Sequence, residues 1–308
     1  MTTHPDVMPE RLRSGEARPA AAAATRPFYW SVRRELWENR SVYLAPLAVA
    51  AVALISFAIS TIGLAERRRD VLLLGAAEQR AQIGMPYDVV AMMLIVTGLI
   101  VAVFYSLDAL HGERRDRSIL FWKSLPVSDR TTVLSKAFIP LVVIPSIVFA
   151  LTVTVHLLML LWTSIVLVAH GMNPLTTFGA FNPLEQSAIL LYGLVVLMLW
   201  HAPLYAWFLL VSGWARRAIV LWAVLPLVAF SALFRVAWAS TDVCALLLYR
   251  VVGGIQEGIT FTSGGTVASL SQLTPGRFLA TPGLWVGLVL AAVFLAAAVR
   301  VRRNRESI

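Results

Sequence analysis

Six long apolar runs alternate with short polar segments along the chain. They cover approximately residues 43–64, 88–108, 134–168, 188–211, 218–239 and 284–301. Each run is long enough to cross a bilayer as a helix, because about 20 helical residues span the hydrocarbon core. The regular alternation of apolar and polar positions that a transmembrane barrel requires is absent. The pattern therefore predicts an all-α membrane protein, a bundle of six spans.

The composition agrees with lipid as the medium around most of the chain. Of the 308 residues, 58% are hydrophobic and 14% are charged, whereas about 25% of the residues in a typical soluble domain are charged. Residues 26–308 are therefore predicted to form one transmembrane domain. Residues 1–25, in which Ala, Pro, Arg and Glu predominate, are predicted to be a disordered cytosolic tail.

The positions of the basic residues predict an orientation in the membrane. The net charge is +9, but the arginines flank the apolar runs and form no single basic stripe, so no nucleic-acid partner is expected. An even number of spans puts both termini on the same side. Most of the 26 Lys and Arg residues fall on that side, which the positive-inside rule makes cytosolic. The run Arg67 to Arg69 argues against this assignment locally.

A short amphipathic segment precedes the first span. Its apolar positions, near helical spacing, are Phe28, Val32, Leu36 and, less regularly, Trp37. Much of the remaining surface is charged, at Arg33, Arg34, Glu38 and Arg40. The segment is predicted to be a helix that lies in the cytosolic headgroup layer. A plain membrane anchor and a role in docking a partner are equally compatible with this pattern.

The loop of residues 111–136, between the second and third spans, is the most informative segment. Its charged first third contains Glu113, Arg114, Arg115 and Asp116. Its apolar centre contains Ile119, Leu120, Phe121, Trp122 and Leu125, and Pro126 follows. A loop that only joins two helices does not need such a cluster, which is typical of a surface covered by another protein. The preceding charges can set the orientation of that partner.

About 40 residues between the fifth and sixth spans form neither a span nor a soluble domain. Val243 to Val252 are mostly apolar but too few to cross a bilayer, and several glycines follow. This pattern predicts an external re-entrant or interfacial hairpin before the last span.

No catalytic, cofactor-binding or metal-binding residues are predicted. The chain has no Gly-Lys pair and therefore no Walker loop, and it lacks the His-Glu-x-x-His and Gly-x-Ser-x-Gly patterns. One cysteine, Cys244, cannot form an internal disulfide. For His156 and His201, within the spans, a helix-to-helix hydrogen bond is favoured over a place in a transport pathway. For Arg235, a membrane anchor is favoured over a substrate contact.

The loop resembles the cytosolic coupling segment of type-2 ABC transporter permeases. The resemblance rests on Glu113, the charged residues after it, the stretch Ser118-Ile-Leu-Phe-Trp-Lys-Ser-Leu-Pro-Val-Ser128 and the downstream Lys136. Arg117-Ser118 stands where the family typically has a Gly-Thr or similar pair. The segment Arg33-Arg34-Glu35-Leu36, followed by Trp37, is similar to the family's amphipathic elbow helix. Six spans with both termini inside match the family's architecture.

The resemblance implies a permease subunit of an exporter, multi-pass in a prokaryotic cytoplasmic (inner) membrane. Two such subunits, identical or different, would form the path, and two separate ABC ATPase subunits would supply the ATP and Mg sites. No cofactor is expected in this chain. Ile119, Phe121, Trp122 and Leu125 would fill a groove on the ATPase. Glu113, Arg114, Arg115 and Asp116 would orient the loop.

The alternative is an integral-membrane enzyme or assembly factor without an ATPase partner. An enzyme should place several convergent polar residues within the spans, and few are present. An ABC ATPase encoded next to this chain would favour the transporter interpretation over this alternative. The scarcity of charge in the spans favours an amphiphile over a small ion as the substrate, but the sequence does not identify it.

Overall fold

The computed structural model describes residues 27–115, 128–238, 243–260 and 269–304. Within these ranges the chain is helical, and the sole β contact is an isolated antiparallel bridge between Ile259 and Leu273. The predicted tail of residues 1–25 lies outside the described residues. The all-α class is confirmed for the part of the chain that the structure describes.

The helices follow one another with short connections. In chain order they are α1 (Pro27–Glu38), α2 (Ser41–Ser60), α3 (Leu64–Leu72), α4 (Ala76–Asp108), α5 (His111–Arg115), α6 (Asp129–Phe138), a π-helical segment (Ile139–Val143), α7 (Ile144–Ala169), α8 (Leu175–Ala180), α9 (Pro183–Trp214), α10 (Ile219–Trp238), α11 (Val243–Gly258), a 3₁₀ turn (Leu270–Gln272), α12 (Pro275–Ala280) and α13 (Pro282–Asn304).

Several helical stretches are long and apolar enough to cross a membrane, which indicates a multi-pass membrane protein. The five stretches are Ser41–Ser60, Ala76–Arg115, Asp129–Ala169, Leu175–Trp214 and Pro282–Asn304. They contain the first, second, third, fourth and sixth predicted spans. The fifth predicted span corresponds to α10 (Ile219–Trp238), which is not among these five stretches. The count of six spans therefore stays a prediction.

Side-chain caps mark the starts of two long helices. The Ser128 side chain accepts a hydrogen bond from the Thr131 backbone N–H and begins α6. The Asn182 side chain accepts from the N–H groups of Leu184 and Glu185 and begins α9. A cap of this kind satisfies backbone donors that have no partner within the helix. The positions of these helix starts therefore follow from local sequence.

Helix α9 occupies the centre of the bundle and packs against α4, α7, α11 and α13. Small residues allow close approach between helices, which is a common basis of packing in membranes. Gly98 of α4, for example, faces Val148 of α7, and Gly254 of α11 lies against the Trp200 indole of α9. These contacts leave little room for a larger side chain at either glycine.

The segment before the last span is held to the bundle by polar contacts as well. In α11, the Arg250 guanidinium donates to the Gly283 carbonyl at 2.9 Å and lies 4.6 Å from the centre of the Trp200 ring. His201 Nε2 lies 3.0 Å from the Val251 carbonyl oxygen. His156 Nε2 similarly lies 3.0 Å from the Tyr87 carbonyl oxygen. Both histidines therefore connect neighbouring helices, as the favoured interpretation of the sequence predicts.

Candidate functional site: a buried ion network beside the loop

Charged side chains from four helices meet where the predicted coupling loop leaves and re-enters the bundle. We call this cluster the ion network. Its members are Arg34 and Glu35 of α1, Glu113 of α5, Asp129 and Lys136 of α6, and Arg302 of α13. Buried charges are tolerated when they are paired and hydrogen-bonded. Three cations and three carboxylates meet this condition here.

Lys136 lies at the centre of the ion network. Its Nζ atom is 2.8 Å from Oε1 of Glu35 and 3.1 Å from Oε1 of Glu113. The Lys136 side chain is 2% exposed and the Glu35 side chain 0%. One ammonium thus holds the first helix of the described chain beside the start of the loop.

Arg302 provides a second connection, from the last turn of α13. Its Nη1 atom donates to Oε2 of Glu113, and its Nε atom donates to Oδ1 of Asp129 at 3.2 Å. Glu113 precedes the apolar centre of the loop, and Asp129 follows it. Arg302 therefore holds the two sides of the loop against the last helix.

The remaining acceptor positions of Glu35 are also occupied. Arg34 Nη2 lies 2.8 Å from Oε1 of Glu35 and 3.1 Å from Oε1 of Glu113. The Tyr105 hydroxyl of α4 donates to Oε2 of Glu35 at 2.9 Å. Each carboxylate oxygen of both glutamates therefore receives at least one donor. Such satisfaction makes a buried network rigid and specific.

The charge state of Glu35 follows from these neighbours. Burial alone would raise the pKa of Glu35 above its ordinary value of 4.5, because it disfavours the charged form. Lys136, and then Arg34, favour the carboxylate through charge and hydrogen bonding, and together they outweigh burial. The pKa of Glu35 is therefore lowered, and the side chain is ionised at neutral pH.

Helix α5 is also fixed to the end of α9. The backbone N–H groups of Leu110 and His111 both donate to the Ser212 hydroxyl oxygen, each at 2.9 Å. Arg114 Nη1 donates to the Gly213 carbonyl at 2.8 Å. A cation that bonds the last carbonyls of a helix is a favourable C-terminal contact. The start of the loop is therefore anchored to the central helix as well.

The predicted loop residues occupy different environments. Glu113 and Arg114 are buried and contact other helices of the same chain, and Arg115 is exposed. Asp116, Ile119, Phe121, Trp122 and Leu125 lie outside the described residues. The contacts of Glu113 and Arg114 favour a role in positioning the loop over direct contact with a partner. Docking by the apolar centre stays a prediction.

The first helix has a polar inward side that differs from the expected amphipathic pattern. Its buried residues are Ser31 and Glu35, and Val32 and Leu36 are only half-buried. Trp37 is 67% exposed. The helix thus turns a glutamate towards the bundle and aromatic rings outward, where aromatic side chains suit a headgroup layer.

Arg33 lies on the outward side of α1. Its guanidinium carbon is 5.3 Å from the centre of the Trp30 ring and 4.9 Å from that of Trp37. Cation–π contacts of this kind are weak at exposed sites but favour a fixed side-chain arrangement. Of the predicted elbow residues, Arg34 and Glu35 therefore join the ion network, whereas Arg33 and Trp37 do not.

The sequence does not predict that Tyr105, Asp129 and Arg302 contact the charged residues of α1 and the loop. Tyr105 lies in an apolar run, and Asp129 and Arg302 are far apart in sequence. One feature of the sequence is consistent with the polar inward side of α1. Ser31 and Glu35 are four residues apart, which puts both polar side chains on the same side of a helix.

Comparison with other proteins adds no family assignment. No protein-family model, curated protein or solved structure matches the chain. The function is therefore inferred from the chain's own geometry and from the resemblance of its loop.

Proposed function

We propose that the chain is the transmembrane permease subunit of an ATP-driven ABC transporter and exports its substrate across a prokaryotic cytoplasmic membrane. In this proposal α10 completes a six-span bundle, both termini are cytosolic and α1 is the elbow helix. A second permease subunit completes the path. Separate ABC ATPase subunits bind the loop of residues 111–136.

The observation that carries the proposal is the contact between Glu113 and Lys136. These residues are the acidic beginning and the basic end of the segment that resembles a coupling loop, and their charged atoms lie 3.1 Å apart. The contact fixes the two ends of the segment to each other. Fixed ends are what a segment needs if it is to transmit movement from a partner to the helices that it joins.

The ion network suggests how the movement would spread. Glu113 follows α4, Lys136 precedes α7, and Arg302 lies in the last turn of α13. A displacement of the loop would therefore act on three long helices and on α1 together. Loss of one partner from a buried ion pair costs roughly 3–5 kcal/mol, so the connections would persist while the ATPase subunits close. In the proposal, this closure tilts the spans and changes access to the path.

Docking itself is assigned to the apolar centre of the loop. Ile119, Phe121, Trp122 and Leu125 would enter a groove on the ATPase, with Asp116 and Arg115 at its rim. A buried tryptophan is commonly among the few residues that dominate the free energy of an interface. Trp122 is therefore the residue on which binding should depend most.

The test uses two tryptophan variants of the chain. For each, it measures how much of the ABC ATPase encoded nearest in the genome co-purifies and whether transport is stimulated. Trp122→Ala should reduce the amount of co-purified ATPase at least about tenfold and abolish stimulated transport. Trp285→Ala is the matched control, because Trp285 is 56% exposed at the start of α13, far along that helix from Arg302. Unchanged assembly and transport in Trp122→Ala would contradict the proposal.

A further inference from the structure

A cleft lies at the end of the bundle opposite to the ion network. It has a volume of about 570 Å³ and is formed where α2 ends, α3 follows, α4 begins and α7 passes. The ion network adjoins the other ends of α2 and α4, so the two sites are separated by the length of the spans. Phe57, Leu64, Val71 and Ile83 contribute apolar walls to the cleft.

Arg68 is the unusual residue of this cleft. It is 6% exposed, its Nη1 atom has no hydrogen-bond partner, and it forms no ion pair with any residue in the described ranges. Asp70 also lines the cleft, but it is exposed and beyond ion-pair distance of Arg68. Burial of an unpaired cation is costly. An anion bound in the cleft would supply the missing counter-charge.

The neighbouring arginines show that this feature is specific to Arg68. Arg67 lines the same cleft, but its guanidinium donates to the carbonyl oxygens of Ser60 and Ile62 and so completes the end of α2. Arg69 is exposed and does not line the cleft. Among these three consecutive arginines, Arg68 alone is buried in the cleft without a backbone or carboxylate partner.

We infer that this cleft binds the phosphate group of an anionic lipid or a lipid-like amphiphile, with Arg68 as the principal ligand. A guanidinium matches phosphate oxygens with two parallel hydrogen bonds. Tyr87 and Thr163 also line the cleft, and each carries a hydroxyl group that can donate a hydrogen bond. The apolar walls suit the start of an acyl chain at the level where the spans end. The inference does not depend on an ATPase partner.

The experiment measures lipid retention by the full-length chain. The wild type, Arg68→Gln and Arg69→Gln are reconstituted in phosphatidylcholine nanodiscs with increasing phosphatidylglycerol, and the retained lipids are counted by native mass spectrometry. Both variants remove one positive charge from the same helix, so non-specific attraction changes equally. Wild type and Arg69→Gln should retain one phosphatidylglycerol, and Arg68→Gln should retain it at least about tenfold more weakly. Equal retention by wild type and Arg68→Gln, or equal loss in both variants, would overturn the inference.

Two further measurements separate the remaining possibilities. Phosphatidylglycerol should raise the melting temperature of wild type and Arg69→Gln in a zwitterionic detergent but not that of Arg68→Gln. Without lipid, Arg68→Gln should melt no lower than wild type, because an unpaired charge is removed. A lower melting temperature, or failure to fold, would show that Arg68 has a structural role and would overturn the inference.

Competition by glycerol 3-phosphate or inorganic phosphate as strong as that by phosphatidylglycerol would assign a soluble anion and overturn the lipid assignment.

Discussion

At the scale of single residues, Glu35 and Lys136 are buried together and depend on each other's charge. Neither would be stable in this position without a counter-ion, because the desolvation of one charge alone is large. The pair also joins segments about one hundred positions apart in sequence, since Glu35 precedes the first span and Lys136 lies near the start of the third. The two charges therefore contribute to the arrangement of the helices as well as to their stability.

Replacement of Glu35 by Gln should lower the free energy of unfolding by roughly 3 kcal/mol, because Lys136 and Arg34 lose a buried counter-charge. Glu38→Gln is the matched control on the same helix. The Glu38 side chain is 44% exposed and lies 3.6 Å from Arg34, so its loss should cost less than about 0.5 kcal/mol. Denaturant unfolding in detergent measures both. Equal effects of the two substitutions would contradict the structural role of Glu35.

The lowered pKa of Glu35 predicts a dependence of stability on pH. The ordinary pKa is 4.5 and the folded-state value is lower, so the stability that this carboxylate contributes is fully present above 4.5. It is lost as the pH falls through the folded-state pKa. The wild type should therefore lose more stability than Glu35→Gln when the pH is lowered below 4.5. Parallel pH profiles of melting temperature for the two proteins would be inconsistent with an ionised, paired Glu35.

At the scale of helices, the apolar runs predict the existence of the long helices better than their ends. Helix α4 begins at Ala76, well before the predicted residue 88. Residues 76–82 combine three alanines with Glu, Gln and Arg, and all of these residue types favour helix formation. Hydropathy defines the part of a helix that lies in lipid, whereas propensity and capping extend the helix beyond it.

The contact between α11 and α9 is testable through one glycine. A methyl group at Gly254 would lie 2.4 Å from Cγ of Trp200, so Gly254→Ala requires a shift of the two helices. The substitution should lower the free energy of unfolding by about 1–3 kcal/mol. Gly84→Ala is the control, because a methyl group there meets nothing within 4 Å in α4. It should be neutral or stabilising by up to about 1 kcal/mol.

Thermal unfolding in detergent distinguishes the two glycine variants. If Gly254→Ala is as stable as the wild type, α11 does not pack against Trp200 as described. If Gly84→Ala is destabilised to the same extent, the effect is a general property of glycine replacement and carries no information about this contact.

At the scale of the whole molecule, the sequence predicts an all-helical membrane protein and marks the loop of residues 111–136 as its distinctive segment. It does not predict that the loop's flanking charges turn inward. Glu113 and Arg302 are far apart in sequence, and no local sequence pattern predicts a contact between them. The burial of Glu35 is not predicted either, because one glutamate among apolar and basic neighbours is also typical of a solvated surface.

Different residues of the loop are assigned different roles. Glu113 and Arg114 hold the loop to its own bundle, and the apolar residues around Trp122 are left as the proposed contact with an ATPase. This division explains why an acidic residue at the start of the loop and a basic residue near its end belong to one functional unit. It also separates stability from docking, because substitutions at Glu113 and Trp122 should affect different measurements.

The most direct test is the accessibility of position 124, which lies in the loop two residues after Trp122. In a Cys244→Ser background, which lacks other cysteines, Ser124→Cys leaves Trp122 in place and is treated with a membrane-impermeant maleimide in inside-out and right-side-out vesicles. We expect labelling in inside-out vesicles alone, and protection from labelling when the ABC ATPase is bound. Labelling in right-side-out vesicles would put the loop on the outer side of the membrane and contradict the account.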